Sequence, residues 1–319
     1  MESRKIIKLG NSSYAIALPK DWVDKSGLKK GDSIYVLPNS NGEIIITPKY
    51  SEIRTEKSKK LDVSDKSYKE IEREIIAAYI QGNSLLEIPI SSKQEAAYVS
   101  TAIKRLASFE LIEYNATKLI AKDLLDIHSI SIENIMRRTD NILRSLFDDV
   151  EVYIKIGSAT SKQLQEALEA DKEINKFYFL LWRMMATGLD NPSIISGLHT
   201  DYKGLFISWH IGVNIESIGD ELKRITRVLT KKKLEKTEKE RLLEAYLLLK
   251  ENYTHALNAY YKQDEAMSLS VARNKGKIIA SCDLPSKEKN VKLEEIYHRM
   301  KIIASNIHNI TKSALYFMR

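Results

Sequence analysis

The sequence predicts a multidomain α+β protein: a small N-terminal β unit, then a small α/β unit, then a C-terminal all-α bundle. At 319 residues the chain is longer than a typical single domain. Glycine and proline are scarce, with 12 and 6 residues, and this favours long helices over a many-stranded protein. Turn residues are frequent in the first fifty residues, whereas the pattern from residue 129 onward is helical almost without interruption.

We place the domain boundaries where the pattern changes. Residues 1–49 form the N-terminal unit, 50–59 a charged linker, 60–126 the α/β unit and 127–319 the helical region. The helical region is predicted to contain two three-helix repeats, about 131–230 and 237–319, because one apolar stripe recurs 85 residues later. The two stripes are Ile211, Ile215, Ile218, Leu222, Ile225, Leu229 and Ile296, Met300, Ile303, Ile307, Ile310, Ala314.

The N-terminal unit is predicted to consist of four short strands and one short helix. Strands over 4–8 and 13–18 flank a turn, a helix over 20–25 ends at Gly27, and strands over 33–37 and 43–47 form a hairpin. Elements of this size cannot close a hydrophobic core alone. We therefore expect a second copy of the unit to complete it.

Helix-start signals organise the rest of the chain. Ser67-x-x-Glu70 and Ser92-x-x-Glu95 predict helices to 81 and about 107, each followed by a strand, at 84–90 and 110–114. Further helix starts are predicted in the helical region at Thr160-x-x-Gln163 and Thr237-x-x-Glu240. Helix breaks are predicted at Gly157, 190–192 and 284–285.

Composition excludes several classes of protein. The single cysteine, Cys282, excludes an intramolecular disulfide framework and a cysteine-based zinc or iron–sulfur site. No apolar stretch is long enough for a membrane span, so we expect a cytoplasmic protein without membrane insertion. Phosphate-binding glycine loops, dinucleotide-binding motifs and hydrolase nucleophile motifs do not occur, so we do not expect an enzyme.

The most specific motifs lie in the N-terminal unit. They are Lys-Leu-Gly-Asn-Ser from residue 8, Leu-Pro-Lys from residue 18, and Gly-Leu-Lys-Lys-Gly-Asp from residue 27. This stretch resembles the swapped-hairpin DNA-binding domains of AbrB, SpoVT and MazE proteins. The resemblance implies a dimeric β-barrel of interleaved hairpins that places basic residues on DNA. Transferred by position, the candidate DNA contacts are Arg4, Lys5, Lys8, Asn11, Ser12 and Lys20.

The charge of this unit agrees with DNA binding. Residues 1–50 carry a net charge of +3, which a dimer doubles, and lysine and arginine contacts to phosphate supply most non-specific affinity. The alternative is that Lys8 and Lys20 are solvated charges that keep edge strands from aggregating.

The helical region carries a second resemblance. Residues 215–220 read Ile-Glu-Ser-Ile-Gly-Asp and resemble the core motif of PhoU proteins, phosphate-uptake regulators built from two three-helix repeats. Together with the N-terminal unit, this looks like the phosphate-uptake regulators of archaea.

The PhoU resemblance also implies a carboxylate site for one divalent or iron-type metal ion. The transferred positions are Asp171, Asn175, Glu216 and Asp220. A spacing of four places Glu216 and Asp220 on one helix face, although Asn175 stands where an acid is expected. No second site is expected, since the second repeat has Lys301 and Ser305 at the matching positions. The alternative is a solvated face on which the carboxylates pair with nearby arginines.

The sequence thus supports three functional hypotheses. The first is a dimeric DNA-binding transcription regulator of phosphate uptake, whose helical region receives a signal through a phosphate transporter, a kinase or a metal. The second is a PhoU-like adaptor of a phosphate transporter that uses its N-terminal unit only to dimerise. The third is an antitoxin-like module whose helical part covers a toxin.

Overall fold

The structure is a computed structural model that describes residues 3–38, 42, 44–48, 57–126, 130–198, 200–231, 233–283 and 291–317. It divides into two compact units, Met1–Thr55 and Glu56–Arg319. The α/β part and the helical region therefore form one unit, where the sequence placed a boundary near residue 127. Most of the predicted linker 50–59 and the predicted break at 284–285 lie outside the described residues.

The N-terminal unit contains two antiparallel hairpins joined through one short helix. The elements are β1 Ile6–Leu9, β2 Ser13–Ile16, α1 Lys20–Lys25, β3 Tyr35–Pro38 and β4 Ile44–Thr47. Pairing of β1 with β2 and of β3 with β4 produces two separate two-stranded sheets. The helix ends as predicted, because Gly27 takes a left-handed φ of 65° just beyond the cap residue Ser26.

The predicted β-barrel is not closed within the described part of this single chain. Each hairpin has only two strands of four residues, which is too little sheet to curl into a barrel. A barrel of this kind would need the strands of a second chain.

The α/β part of the second unit is a four-stranded sheet with two helices. Its elements are β5 Ser58–Lys60, α2 Tyr68–Ile80, β6 Leu85–Pro89, α3 Lys93–Ile103, β7 Phe109–Tyr114 and β8 Lys118–Asp123. The strand order is β5-β6-β8-β7, with β5 parallel to β6 and the other pairs antiparallel. The sequence did not predict β5 or β8. The predicted helix starts are confirmed: Ser67 and Glu70 form a capping box, and Ser92 accepts the Glu95 amide.

Six long helices and one short helix form the helical region within the described residues. They are α4 Ile132–Ile156, α5 Ser161–Asp190, α6 Pro192–Gly197, α7 Tyr202–Leu229, α8 Lys236–Lys262, α9 Glu265–Ser281 and α10 Val291–Phe317. Thr160 and Gln163 form the predicted capping box. The predicted cap at Thr237 is wrong, because the helix is capped two residues earlier by Glu235, which forms a capping box with Glu238.

The two apolar stripes form the centre of this bundle. Every residue of both stripes is at most 2% exposed. The helices that carry them, α7 and α10, lie antiparallel: His210 contacts Ser313, Ser217 contacts Asn306, and the Lys292 side chain reaches the Lys231 carbonyl. The region is thus a helical bundle with a continuous core. No helix among the described residues is both long and apolar enough to cross a bilayer.

Candidate functional site

The first candidate site is the β1–β2 hairpin of the N-terminal unit. Its tip is a three-residue loop, Gly10–Ser12, because Leu9 pairs with Ser13 across the ladder. Gly10 takes a left-handed φ of 65°, which a side chain would disfavour. The amide of Asn11 and the hydroxyl of Ser12 are therefore presented at an exposed loop tip.

The six predicted DNA contacts are all exposed in the structure. Arg4 and Lys5 precede β1, Lys8 lies on it opposite Tyr14, and Lys20 begins α1. The hairpin and its arm thus bring together all of the predicted contacts except Lys20, which lies on the next element. Three further exposed cations of this unit, Lys25, Lys29 and Lys30, were not included in the prediction, although their charge was visible in the sequence.

The N-terminal unit leaves its apolar side chains uncovered. None of its described residues is buried. Ile6 and Tyr14 are each 70% exposed and Ile44 is 64% exposed, while Ile7 and Leu9 are more than half exposed. Ile6 and Ile7 point to opposite faces of the hairpin, since successive strand residues alternate. Both faces of the hairpin are therefore apolar and lack a covering layer within the described residues of this unit.

The second candidate site is the predicted carboxylate cluster between α5 and α7. The structure brings Asp171 of α5 close to Glu216 and Asp220 of α7, as the resemblance implied. A lysine lies between them: Lys223 Nζ is 2.8 Å from Asp171 Oδ2 and also contacts Asp220 Oδ1. Arg224 Nη2 lies 3.1 Å from the other oxygen of Asp220. The fourth predicted residue, Asn175, donates its amide to the Asp171 backbone carbonyl at 2.9 Å.

The carboxylates of this cluster titrate differently because their surroundings differ. Burial, with the nearby charges of Asp220 and Asp171, raises the pKa of Glu216 to about 7. Burial also raises the pKa of Asp171, outweighing the opposing effect of Lys223. Burial acts on Asp220 in the same direction, but Lys223 and Arg224 outweigh it and lower the pKa of that carboxyl.

This donor set does not fit a metal ion. The Lys223 ammonium takes the place between the two aspartates that a cation would occupy, and the Asn175 amide is engaged with backbone. In the part of the chain that the structure describes, no group of three or more His, Cys, Asp and Glu could hold a metal ion. The arrangement matches the alternative of paired carboxylates, with Lys223 as the partner that the sequence reasoning missed. Lys223 lies three residues after Asp220, and this spacing, which places the two side chains next to each other on a helix, could have predicted the ion pair.

Comparison with known proteins supports the N-terminal assignment. Residues 7–54 match the family model described as antidote-toxin recognition MazE, bacterial antitoxin. These residues are thus similar to a MazE/AbrB-type domain, a class compatible with DNA binding or with antitoxin-like function. No curated protein matches the chain. The PhoU-like resemblance of the helical region has no counterpart among the family matches.

Proposed function

We propose that the protein is a DNA-binding transcription regulator that acts as a homodimer through its N-terminal unit. The observation that carries this proposal is the hairpin of residues 6–16 with the arm before it, because together they combine the exposed cations Arg4, Lys5 and Lys8 with apolar side chains left uncovered on both faces of the hairpin. A second copy would cover the apolar faces, and the cations would then contact DNA phosphates.

Hydrophobic burial favours the dimer. Burying a leucine or isoleucine side chain stabilises by about 1.5–3 kcal/mol. Ile6, Ile7, Leu9 and Ile16 are all more than half exposed in the single chain, so covering them makes a contribution of several kcal/mol. The match to the MazE model supports the same conclusion, since MazE/AbrB-type domains typically dimerise and bind DNA.

The helical region is the proposed sensing part. Its resemblance to PhoU proteins supports a role in phosphate homeostasis, with a phosphate transporter or a kinase as partner. The helices pack on a buried core that is continuous with the core of the α/β part, so the bundle would offer a folded surface to such a partner.

A salt titration tests DNA binding. Fluorescence anisotropy would measure the affinity for the DNA upstream of the protein's own gene at several salt concentrations. Affinity falls as salt rises, and each lost phosphate contact makes the slope of log affinity against log salt shallower by about 0.9. Because a dimer carries two copies of Lys8, Lys8→Ala is expected to make that slope shallower by about two.

The matched control is Lys162→Ala, which removes an 87% exposed lysine from α5 and is expected to leave the slope unchanged. Absence of binding at low salt, or a slope indifferent to Lys8→Ala, would contradict the regulator model. Absence of DNA binding by a protein that sediments as a dimer would favour the adaptor that uses this unit only for dimerisation.

An antitoxin-like module is the second candidate, and the description of the matching family favours it. The folded helical region favours it less, since covering a toxin by folding on it calls for a disordered segment. Co-expression with a toxin encoded beside this gene distinguishes the two: restored growth would support the antitoxin.

A further inference from the structure

A small pocket lies where the end of α7 meets the start of α10. It has a volume of about 180 Å³. The two helices run antiparallel, so the last two turns of α7 face the first two turns of α10. The pocket is lined by Arg224, Arg227, Val228, Lys231, Lys292, Glu295 and Arg299.

The lining is strongly cationic. Five of its seven side chains carry a positive charge, and Glu295 is the one carboxylate among them. The cations come from both helices, with Arg224, Arg227 and Lys231 on one side and Lys292 and Arg299 on the other. Arg224 and Arg227 lie three residues apart on one face of α7, and Lys231 follows the end of that helix. Lys292 and Arg299 lie seven residues apart on one face of α10, and all five cations line the same space.

Helix dipoles explain only half of this arrangement. Cations at the end of α7 are favourable, because a helix C-terminus carries a partial negative charge. Lys292 lies in the first turn of α10, where the partial charge is positive and a lysine is unfavourable. The partial charges of the two helix ends oppose each other, so the positive potential of the pocket comes from its five cationic side chains, and an anion would relieve it.

Part of the positive charge lacks a counter-ion. Within the described residues, Arg227 and Lys231 have no carboxylate partner. The Arg299 Nε is buried and has no hydrogen-bond partner there. An oxyanion with several acceptor oxygens would satisfy these donors.

The inner wall of the pocket is already organised. Glu221, which is 4% exposed, accepts from Arg224 Nη1 at 2.6 Å and from Arg299 Nη1 at 3.4 Å. This buried carboxylate holds the two guanidinium groups in fixed positions before a ligand arrives. Lys292 is also held, since its Nζ lies 2.9 Å from the Lys231 carbonyl. Fixed donors lower the entropic cost of binding.

We infer that this pocket binds a small multivalent oxyanion of the phosphate class. The Arg227 guanidinium presents paired donors that match phosphate oxygens, and Lys231 and Lys292 add point charges. Arg224 and Arg299 already bind Asp220, Glu221 and Glu295, so they contribute positive charge at the wall of the pocket. The volume of about 180 Å³ has room for one phosphate group and some of its hydration water. The group has two possible sources: free inorganic phosphate or the terminal phosphate of a polyphosphate chain. The assignment stands on the pocket alone and does not require the N-terminal unit to bind DNA.

Isothermal titration calorimetry of the full chain, without DNA and at constant ionic strength, tests the assignment. The probes are inorganic phosphate, tripolyphosphate and, as a monovalent control, chloride. The double variant Arg227→Gln/Lys231→Gln removes the two unpaired cations and should weaken phosphate or tripolyphosphate binding by about tenfold or more. The matched control Lys236→Gln/Lys262→Gln removes two exposed lysines at the ends of α8 and should leave the affinity unchanged.

Each outcome is decisive. Saturable binding of inorganic phosphate that is lost in the pocket variant supports the site with the free ion as ligand. Saturable binding of tripolyphosphate alone, lost in the same variant, supports the site with a chain end as ligand. Absence of saturable binding by either probe overturns the assignment. Equal weakening in the pocket and control variants, or binding of chloride with similar affinity, overturns it as well, since both indicate diffuse attraction. The far-ultraviolet circular dichroism of both double variants verifies that they fold.

Discussion

Arg183 of α5 offers the sharpest test of how the α/β part is held to the helical region. Its Nη2 lies 2.9 Å from Asp123 Oδ2 at the end of β8. Its Nη1 donates to the carbonyls of Tyr79, at the end of α2, and of Asn83, the latter at 3.0 Å. The guanidinium also lies 4.7 Å from the Tyr79 ring centroid. One side chain thus links a helix end, a strand end and the bundle.

Replacing Arg183 by leucine would remove the ion-pair partner of Asp123 and the donor to the carbonyls of Tyr79 and Asn83. The Asp123 side chain is fully buried, so losing this ion pair leaves its carboxylate in the interior with less compensation, at a cost of up to about 3–5 kcal/mol. Asp123 keeps hydrogen bonds from the Ser108 hydroxyl and the Leu125 amide, both at 2.9 Å. We therefore expect Arg183→Leu to lower the free energy of unfolding by about 3 kcal/mol.

Urea unfolding followed by circular dichroism measures this loss. Arg73→Leu is the matched control, because it removes an exposed arginine from α2 and is expected to change stability by less than about 0.5 kcal/mol. Arg183→Leu/Asp123→Leu should recover part of the loss, since it removes the buried carboxylate together with the guanidinium. A loss below about 1 kcal/mol for Arg183→Leu would refute the reasoning.

Three further predictions concern the helical region. The raised pKa of Glu216, about 7, means that the folded state binds its proton more tightly than the unfolded chain, so stability falls as pH rises from about 4.5 to about 7. Urea unfolding should therefore show that Glu216→Gln raises the free energy of unfolding by about 1–2 kcal/mol relative to wild type at about pH 8, but not at about pH 5. An equal increase at both pH values would contradict this reasoning. Elemental analysis should find the same low metal content in wild type and in Glu216→Gln/Asp220→Asn, and stoichiometric metal lost in the variant would reinstate the metal hypothesis. Gly157→Ala should lower stability by about 1–3 kcal/mol in thermal unfolding, because φ is 92° and the added Cβ would lie 2.6 Å from Lys239 Cδ; an unchanged midpoint would show that the helix end relaxes freely.

Local signals predicted the elements where the sequence carries a strong local preference. The capping box of Ser67 with Glu70, the left-handed glycines at 27 and 157 and the buried stripe along α7 are all present in the structure. Each depends on contacts within a few residues of chain, which a single sequence reveals directly.

The strands β5 and β8 were missed because their signals are weak locally. β5 has only three residues, two of them lysines, and forms through parallel pairing with β6. β8 has three apolar residues between Lys118 and Lys122 and lies between β6 and β7, where its neighbours supply the hydrogen bonds. Strand formation of this kind depends on partners distant in sequence.

For the candidate sites too, the sequence predicted some features and missed others. The basic residues of the hairpin were visible as a motif and as a charge excess, and the structure places them on an exposed hairpin and its flanking elements. In the structure the carboxylates of Asp171 and Asp220 share Lys223 as a partner, where the family resemblance implied a metal ion. Lys223 settles that question, since an ammonium held between two carboxylates competes with any cation.

The sequence by itself determined the helical content, the apolar stripes of the bundle and the motif-bearing N-terminal unit, because these follow from residue preferences and spacings of a few positions. The tertiary structure alone decided which charges meet. Arg183 reaches Asp123 across 60 residues, and Arg299 reaches Glu221 across 78. Only packing brings such groups within a few ångströms of each other. Because packing also removes water from them, a paired charge is then much more stable than an unpaired one. The cationic pocket between α7 and α10 exists for the same reason.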